Sequence, residues 1–593
     1  MQKPLEFYKS EKTKYELELS SLKKKLALSS TIRLILFIVM ALGIYFFFSN
    51  LKLVAGIAIL GIALFLYLVL RHGKLQYQRD FINQLIALNT TEIDVFYGKY
   101  YDLNEGIAYT NPKHFYSYDI DLFGKGSFFQ YTNRTVTKEG EREFANQLTQ
   151  NNIIDIEQRQ NGIKELAKIP KWRQEFSAIG SLVNVQHPAK HIIKWIHNYE
   201  SALPKFMMFL PKVFAAISFI LFVLLSFEII TYHFLLLWFF IGLGFAGAYL
   251  KRVNSIYEDA GKAKDTFKQY HKLLDKIEST TFSSEILIAQ QNAIKTEKEK
   301  ASVIFKKFSK ILDALDQRNN MIMAIIGNGF LLWDAHQAFK IENWINTYKS
   351  NVENWFKVIA FFDAQNSLAN FAFNHQNYVY PELNGDKNVI KAEQLGHPLL
   401  KTTKRVDNDF TIENQQFFII TGANMAGKST FLRTVSLAIV MANIGLPVCA
   451  KSFSYSPIKL ITSMRTSDSL ADDESYFFSE LKRLKFIVEE INPNVSGDNY
   501  FIILDEILKG TNSTDKAIGS KKFVQKLVAS NSTGIIATHD LSLCEIEKEL
   551  DAIKNYYFDA EIIDDELHFD YQLKNGVCKN MNASFLLKKM EIV

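Results

Sequence analysis

FFIITGANMAGKST, residues 417–430, is the stretch that decides the fold. It begins with an apolar run rich in β-formers and continues as a loop of the form G-x-x-x-x-G-K-[ST]. A helical pattern follows from Lys428 to Met441. Glycines let the backbone close around a phosphate group, and the N-terminus of the next helix adds a partial positive charge. The stretch therefore predicts a strand, a phosphate-binding loop and a helix.

The side chains of this loop predict its ligand. Lys428 is placed to hold the β- and γ-phosphates of ATP, and Ser429 is placed to ligate Mg²⁺. The structural alternative is a glycine turn before an ordinary helix. The predicted nucleotide-binding residues of the loop are Gly422, Ala423, Asn424, Met425, Ala426, Gly427, Lys428, Ser429 and Thr430.

Two further apolar runs end in polar residues. Residues 500–504 (YFIIL) lead into Asp505 and Glu506, and residues 534–538 (GIIAT) lead into His539. In a parallel sheet the carboxyl ends of the strands meet at the ligand-binding edge. We expect Asp505 to hold Mg²⁺ through water, Glu506 to activate the attacking water and His539 to sense the γ-phosphate. The predicted catalytic and metal-binding side chains are Lys428, Glu506, His539, Ser429 and Asp505.

Segments of this C-terminal region resemble the MutS family. TGANMAGKST (421–430) is similar to the phosphate loop of that family, and DEILKGTNSTD (505–515) is similar to the segment after its second acidic strand. SDSLA (467–471), followed by Ser475, resembles its signature segment, and Thr538-His539 resembles its switch histidine. The alternation of strands and helices from about residue 400 favours a parallel sheet flanked by helices.

The resemblance extends upstream over most of residues 120–593. NRTVTKEGER (133–142) is similar to the opening of the MutS core domain, and residues 363–369, 380–382 and 397–398 resemble its closing part. The resemblance implies a Mg²⁺-dependent ATPase that forms a homodimer with two composite ATP sites. In such a dimer Ser475 reaches the γ-phosphate of the partner, and long lever helices connect the ATPase to a DNA-clasping end.

Departures from the family pattern are also present. The mismatch-reading N-terminal domain of the family carries a Phe-x-Glu wedge, whereas a predicted membrane hairpin occupies the N-terminal part of this chain. Asp473 stands where the family has glycine, and Leu508-Lys509 replaces its usual Gly-Arg. These differences place mismatch recognition in question more than ATP hydrolysis.

Four apolar stretches predict membrane spans. They are residues 34–48, 53–70, 213–232 and 234–250, and a bilayer-spanning helix needs about 20 apolar residues. The short separations within each pair predict two helical hairpins. Lys and Arg flank the pairs more often than they occupy the turns, so the positive-inside rule places both termini and the soluble segments in the cytoplasm. We therefore expect a multi-pass protein of the cell membrane with four spans.

Composition sets limits on the function. A chain of 593 residues is too long for one hydrophobic core, and a net charge of +5 does not by itself indicate a nucleic-acid partner. Three widely spaced cysteines form no CxxC pair, so neither a disulfide framework nor a zinc site is expected.

The predicted fold class is a multidomain protein with an α-helical core and lever region, two transmembrane hairpins and a C-terminal α/β phosphate-loop NTPase domain of MutS or ABC type. The expected division along the chain is a cytoplasmic amphipathic segment (1–30), transmembrane hairpin 1 (31–70), a connector (71–120), MutS-like core helices (121–204), transmembrane hairpin 2 (205–250), lever and core helices (251–398) and a MutS-like ATPase domain (399–593).

The favoured functional hypothesis is a membrane-anchored ATPase that binds mismatched or branched DNA. ATP binding and hydrolysis would open and close its clamp in mismatch repair or recombination. One alternative is an ATP-driven membrane tether or signalling ATPase that acts on protein partners without DNA. Another is a transport ATPase, which the separated hairpins and the lack of an LSGGQ-like segment disfavour.

Overall fold

The computed structural model describes residues 3–183, 188–297, 299–384, 387–423, 425–465, 476–492, 499–508, 513–530, 532–563 and 566–579. These residues form a helical body up to about residue 375 and an α/β region after it. The mostly helical body, its apolar helices and the C-terminal α/β region agree with the architecture expected from the sequence.

The α-helices of the described residues are α1 (Pro4–Phe46), α2 (Leu51–Phe96), α3 (Phe128–Thr132), α4 (Lys138–Thr149), α5 (Ile156–Ala167), α6 (Pro170–Ser181), α7 (Ala189–His197), α8 (Leu210–Ser226), α9 (Tyr232–Glu278), α10 (Glu285–Ala293), α11 (Ala301–Asp316), α12 (Asn328–Leu331), α13 (Trp333–Asn374), α14 (Lys428–Asn443), α15 (Tyr476–Glu490) and α16 (Ser513–Val528). Short 3₁₀ helices span Ile107–Tyr109, Lys205–Met208, Gln317–Asn319 and Leu541–Lys548, and Met323–Gly327 forms a π-helical turn.

The first apolar hairpin consists of α1 and α2. Each is a single helix with an apolar half and a polar half, so α2 continues without a break from its apolar stretch to Phe96. The turn between them ends at Asn50, whose side chain accepts the N–H of Leu53 at 3.2 Å and caps α2. Gly61 lets α2 approach Met40 closely, because a Cβ at this position would overlap the Met40 side chain.

The second hairpin differs from its prediction. Helix α8 has 17 residues and ends at Ser226, so the predicted span 213–232 is wrong as one continuous helix. The chain turns at Glu228, which has a left-handed φ of +59°. Among the described residues, α1, α2 and α9 are long and apolar enough to cross a membrane, whereas α8 is shorter than the usual span.

Helices α2 and α9 run in the same direction. Helix α6 packs against both of them and is antiparallel to each. Its hydrogen bonds join Trp172 to Thr280, Gly180 to Gln269, and Gln174 to Asn89, and Ala178 lies in an apolar cluster with Ile82 and Leu85. The apolar halves of α2 and α9 both lie toward their N-termini. Both hairpins therefore project from the same end of the helical body, which lets them enter one membrane.

Helices α9, α11 and α13, hereafter the lever helices, pack around an aromatic core. Phe308 of α11 stacks on Trp344 of α13 with ring centroids 3.8 Å apart, and Phe267 of α9 meets both rings edge-on. Helix α13 has 42 residues, which corresponds to about 63 Å at 1.5 Å per residue. It therefore runs from the end of the body that carries the apolar hairpins to the α/β region.

Asp363 lies buried near the C-terminal end of α13. Its carboxylate accepts the N–H groups of Val136 at 3.1 Å and Thr137 at 2.8 Å, and the Thr137 hydroxyl at 2.7 Å. Burial raises the pKa of Asp363 to about 7, although these hydrogen bonds oppose the shift. This carboxylate joins the start of α4 to α13.

The strands of the α/β region are β1 (Glu382–Leu383), β2 (Asn388–Leu395), β3 (Asn408–Glu413), β4 (Phe417–Gly422), β5 (Ser452–Tyr455), β6 (Lys459–Ser463), β7 (Tyr500–Asp505), β8 (Thr533–Ala537), β9 (Ile553–Phe558), β10 (Glu561–Ile563), β11 (Glu566–His568) and β12 (Leu573–Asn575). Within the described residues, the main sheet has the order β12-β9-β4-β8-β7-β6. All of its neighbours are parallel except the edge pair β12 and β9. The strand β4 is central and buried along its whole length.

The helical body and the α/β region share direct polar contacts. Asn151 both donates to and accepts from the backbone of Leu460 at 2.9 Å, as a neighbouring strand would. Asp119 accepts the Thr462 hydroxyl at 2.5 Å and the Arg465 N–H at 3.0 Å. The edge of the main sheet next to β6 is thereby held against the helical body.

Candidate active site

The glycine loop lies at the carboxyl end of β4, between that strand and α14. Gly422 and Gly427 adopt φ values of +147° and +105°, which residues other than glycine rarely adopt. A Cβ at Gly422 would lie 2.5 Å from the Phe558 carbonyl oxygen, and a Cβ at Gly427 would lie 3.1 Å from the Tyr571 ring. The backbone conformation therefore favours glycine at both motif positions, and at Gly422 the lack of space requires it.

Lys428 begins α14 and turns back over the loop. Its Nζ donates to the carbonyl oxygens of Gly422 at 2.7 Å and Ala423 at 3.0 Å. Burial lowers the pKa of Lys428, while the charges of Asp505 and Glu506 oppose the shift. The first amide groups of α14 have no acceptor within the helix. An ammonium group and helix-terminal amides therefore converge on one point, as an anion site requires.

Ser429 and Asp505 provide adjacent oxygens. The Ser429 hydroxyl donates to Asp505 Oδ2 at 2.6 Å. Mg²⁺ takes oxygen ligands and usually keeps several waters, so a site with one hydroxyl and one carboxylate suits it. Among the described residues there is no group of three or more His, Cys, Asp or Glu side chains that would hold a metal by itself. The donor set fits Mg²⁺ that is shared with phosphate oxygens.

Glu506 and His539 face each other across neighbouring strand ends. Asp505 of β7 pairs with Ala537 of β8, so the residues that follow the two strands lie side by side. The distance from Glu506 Oε1 to His539 Nε2 is 3.0 Å, and the same nitrogen lies 3.2 Å from Lys428 Nζ. Glu506 has a left-handed φ of +54°, and its N–H bonds to the Ala537 carbonyl at 2.9 Å. The bend at Glu506 turns the chain away from the sheet at this edge.

The structure places Lys428, Ser429, Asp505, Glu506 and His539, the side chains with predicted catalytic or Mg²⁺-binding roles, at one edge of the sheet. Other loop positions differ from one another in exposure. Ala426 is buried and Met425 is exposed, while Ala423 and Thr430 lie at the two ends of the loop. Asn424, Ser475 and the signature segment 467–471 lie outside the described residues. Near that segment, Glu480 accepts the N–H of Leu508 at 2.5 Å.

A cavity that the sequence did not predict opens beside the loop. It has a volume of about 500 Å³ and borders Gly427 and Thr430. Its other lining side chains include His397, Lys404, Phe431, Phe558 and Tyr571. Burial and the charges of Arg433 and Arg405 lower the pKa of His397 to about 4, so its imidazole is neutral at pH 7. The His397-Pro398 pair was the available signal, but its position gave no indication of a role.

The chain thus contains an α/β domain with a candidate anion site at the edge of its sheet, and this domain is joined to long helices. Residues 418–589 match the family model for MutS domain V. The chain is similar to the DNA mismatch repair protein MutS of Macrococcus caseolyticus (strain JCSC5402), with 29% identity over 43% of this chain and 30% of the relative. It is also similar to MutS protein homolog 4 of Homo sapiens, with 30% identity over 36% of this chain and 23% of the relative.

A third relative is the DNA mismatch repair protein MutS of Methanococcoides burtonii, with 32% identity over 39% of this chain and 26% of the relative. The C-terminal region of the chain therefore matches domain V of the MutS family. It spans less than a third of the length of these curated relatives.

Proposed function

We propose that the C-terminal domain binds ATP with Mg²⁺ and hydrolyses it to ADP and phosphate. One observation carries this proposal: Lys428, the Ser429–Asp505 pair and the Glu506–His539 pair converge at the carboxyl edge of the parallel strands. Hydrolysis of a phosphoanhydride needs bound phosphates, a cation and an oriented water, and this set provides for each.

Each residue has a distinct role in the proposed reaction. The loop amides and Lys428 hold the β- and γ-phosphates, and Ser429 and Asp505 would hold Mg²⁺, which supplies charge neutralisation between the phosphates. Glu506 orients and deprotonates the attacking water. His539 lies against Glu506 and Lys428, where it can report the presence of the γ-phosphate.

The cavity beside the loop is the proposed site of the nucleotide base. It borders the first turn of α14, so a nucleotide with its phosphates on the loop would direct its base there. The rings of Phe431, Phe558 and Tyr571 offer flat surfaces for stacking, and neutral His397 offers a hydrogen-bonding edge. We also propose a homodimer, as the resemblance to the MutS family implies, in which Ser475 of each chain would reach the γ-phosphate bound by the other.

The helical body is proposed to anchor this ATPase in the cell membrane. The apolar halves of both hairpins project from one end, and the α/β domain joins the body at its other end. A polytopic arrangement with the soluble parts in the cytoplasm would keep the ATPase where ATP is abundant. The relatives are named for DNA mismatch repair, which supports a role on mismatched or branched DNA through ATP-driven clamp movement.

A second candidate is an ATP-driven membrane tether that does not act on DNA. The aromatic contacts of Phe330 in α12 with Phe222 and Phe239 of the second hairpin favour it, because a DNA clamp needs a polar, basic tip.

The full chain in detergent tests both candidates. ATP hydrolysis is measured with and without Mg²⁺, and binding to homoduplex, mismatched and four-way-junction DNA is measured at two salt concentrations. Lys428→Ala serves as the nucleotide-dead control. Salt-sensitive DNA binding that responds to ATP only in the unchanged protein supports the DNA role. Hydrolysis without DNA binding supports the tether, and absence of Mg²⁺-dependent hydrolysis contradicts the proposal.

A further inference from the structure

The connection between α11 and α13 has an unusual composition. Residues 321–332 read MIMAIIGNGFLL and contain no charged side chain. Met321, Ile322 and Ile326 are exposed by 76%, 67% and 51%. Clustered exposed apolar side chains on a soluble helix tip would face water at a cost of about 25 cal/mol per Å² of apolar surface. Such a cluster indicates a surface that another apolar phase covers.

This connection packs against the second apolar hairpin. The carbonyl of Gly329 lies so close to Gly242 of α9 that a Cβ at Gly242 would overlap it. The Phe330 ring lies between Phe222 of α8 and Phe239 of α9, with ring centroids 5.0 Å and 5.1 Å away. Contacts between small residues allow such close packing of helices within a bilayer.

The position of this contact gives the depth of the connection. Gly242 lies eight residues before Leu250, the end of the apolar stretch of α9, which corresponds to about 12 Å along the helix. The hydrocarbon core of a bilayer is about 30 Å thick. Phe330 reaches further, to Phe239, which lies eleven residues or about 16 Å before Leu250, so the connection reaches about halfway across. It returns through Leu332, which breaks the helix with a left-handed φ of +48°, and α13 begins at Trp333.

Polar groups of the connection are paired within the protein. The Phe330 carbonyl oxygen lies 2.7 Å from the Ser218 hydroxyl, which also accepts the Trp238 indole N–H at 2.8 Å. The Asn328 amide donates to the Ala324 carbonyl at 2.8 Å, and its oxygen accepts the Asp334 N–H at 3.0 Å. Irregular backbone persists in the hydrocarbon region only where the protein satisfies its polar groups.

Polar residues mark both ends of the connection. Arg318 pairs with Asp334 at 3.2 Å and donates to Asn254 of α9 at 2.7 Å. Asn319 donates to the Tyr257 hydroxyl at 2.7 Å. Asn254 and Tyr257 follow the apolar stretch of α9, so these contacts lie where that stretch ends. The connection thus enters and leaves its apolar surroundings at one level.

We propose that residues 321–332 are a re-entrant element inserted into the cytoplasmic leaflet, with lipid acyl chains covering its exposed apolar side chains. The proposal rests on the membrane anchoring proposed above. It places the tip of α11 and α13 in lipid, so that this end of the lever helices acts on the membrane.

Fluorescence quenching of the full chain in liposomes tests the element. The buried cysteines Cys449, Cys544 and Cys578 are replaced by alanine, and single cysteines are introduced for an environment-sensitive label. Ile325→Cys and Ile322→Cys report on the element. Ile59→Cys, on the exposed apolar surface of α2, reports on the anchoring itself, and Lys349→Cys reports on an exposed polar position of α13. Brominated lipids quench labels in the hydrocarbon, and iodide quenches labels in water.

The expected result is that brominated lipids quench the labels at Ile325 and Ile322 at least half as strongly as the label at Ile59, while the label at Lys349 responds only to iodide. Iodide quenching at both element positions, with lipid quenching at Ile59, overturns the element and leaves the anchoring intact. Protection from both quenchers also overturns it, because protein then covers the surface. Lack of lipid quenching at Ile59 contradicts the anchoring and the element together.

Discussion

The two ends of α13 lead to regions of different character, one polar and one apolar. The α/β domain that follows its C-terminal end gathers an ammonium, two carboxylates, a hydroxyl and an imidazole, each within hydrogen-bonding distance of at least one of the others. At its N-terminal end, Gly329 and Phe330 pack among the apolar residues of α8 and α9. Helix α13 thus runs from an apolar tip towards the domain that carries the proposed reaction site. We expect the nucleotide state at the first end to change the position of the second.

The largest expected effect tests the reaction end. Glu506→Gln keeps the shape of the side chain and removes the base, so the hydrolysis rate should fall by about 10²- to 10⁴-fold while ATP binding remains. Steady-state hydrolysis and equilibrium binding of a fluorescent ATP analogue measure the two properties. Glu489→Gln, which changes an exposed carboxylate of α15, is the matched control and should hydrolyse at the unchanged rate. Equal rates in both variants would remove Glu506 from the proposed mechanism.

The next effect concerns how the first hairpin is held to the body. Glu92 of α2 pairs with Arg134 at 2.5 Å and accepts the Asn374 amide at 2.8 Å, and both charged side chains are largely buried. Glu92→Ala leaves the buried guanidinium unpaired, which should lower the free energy of unfolding by about 3 kcal/mol. Thermal unfolding in detergent measures the loss. Glu393→Ala, which breaks an exposed pair with Lys451, should change it little, and a similar midpoint in both variants contradicts the docking role.

A smaller, pH-dependent effect comes from Asp363. Its pKa of about 7 in the folded chain exceeds the value of about 3.9 expected in the unfolded chain, so the folded state holds the proton more tightly between these values. The stability contributed by this group is full below pH 4 and is lost as the pH rises through 7, by at most about 1.4 kcal/mol per pH unit. The difference in unfolding midpoint between the unchanged chain and Asp363→Asn should therefore vary from pH 5 to 8. A constant difference would contradict the raised pKa.

The smallest expected effect concerns the Ser218 hydroxyl at the apolar end of α13. Ser218→Ala removes the hydroxyl that lies between the Trp238 indole and the Phe330 carbonyl, so stability should fall by about 1 kcal/mol. Ser226→Ala, at an exposed hydroxyl near the end of the same helix, is the control. Thermal unfolding in one detergent compares them. If Ser226→Ala lowers the midpoint as much as Ser218→Ala, the bridge contributes nothing specific.

Sequence patterns predicted the candidate active site because its side chains follow segments that are recognisable in the sequence. Lys428 and Ser429 follow a glycine loop, while Asp505 and His539 follow buried strands. Parallel pairing then brings strand ends together at one edge. The cavity beside the glycine loop was not predicted because its lining residues, such as His397 and Tyr571, come from distant segments of the chain.

The apolar end of α13 was harder to predict for a physical reason. Residues 321–332 are too short for a span, and two glycines and Asn328 interrupt their apolar pattern. Their structural role depends on packing against Gly242, which is far away in the sequence. The end of α8 at Ser226 was missed because the apolar pattern continues past it, whereas the left-handed turn at Glu228 stops the helix.

The most direct test of the account follows the tip while ATP binds. The label at Ile325→Cys is placed in the Glu506→Gln background, which should retain ATP, and quenching by brominated lipids is recorded in liposomes before and after Mg²⁺-ATP is added. If α13 carries the nucleotide state to the tip, ATP changes the quenching in the Glu506→Gln protein. The same label in a Lys428→Ala protein should show no change. Identical quenching with and without ATP, in protein shown to bind the nucleotide, would contradict the claim that α13 carries the nucleotide state to the membrane.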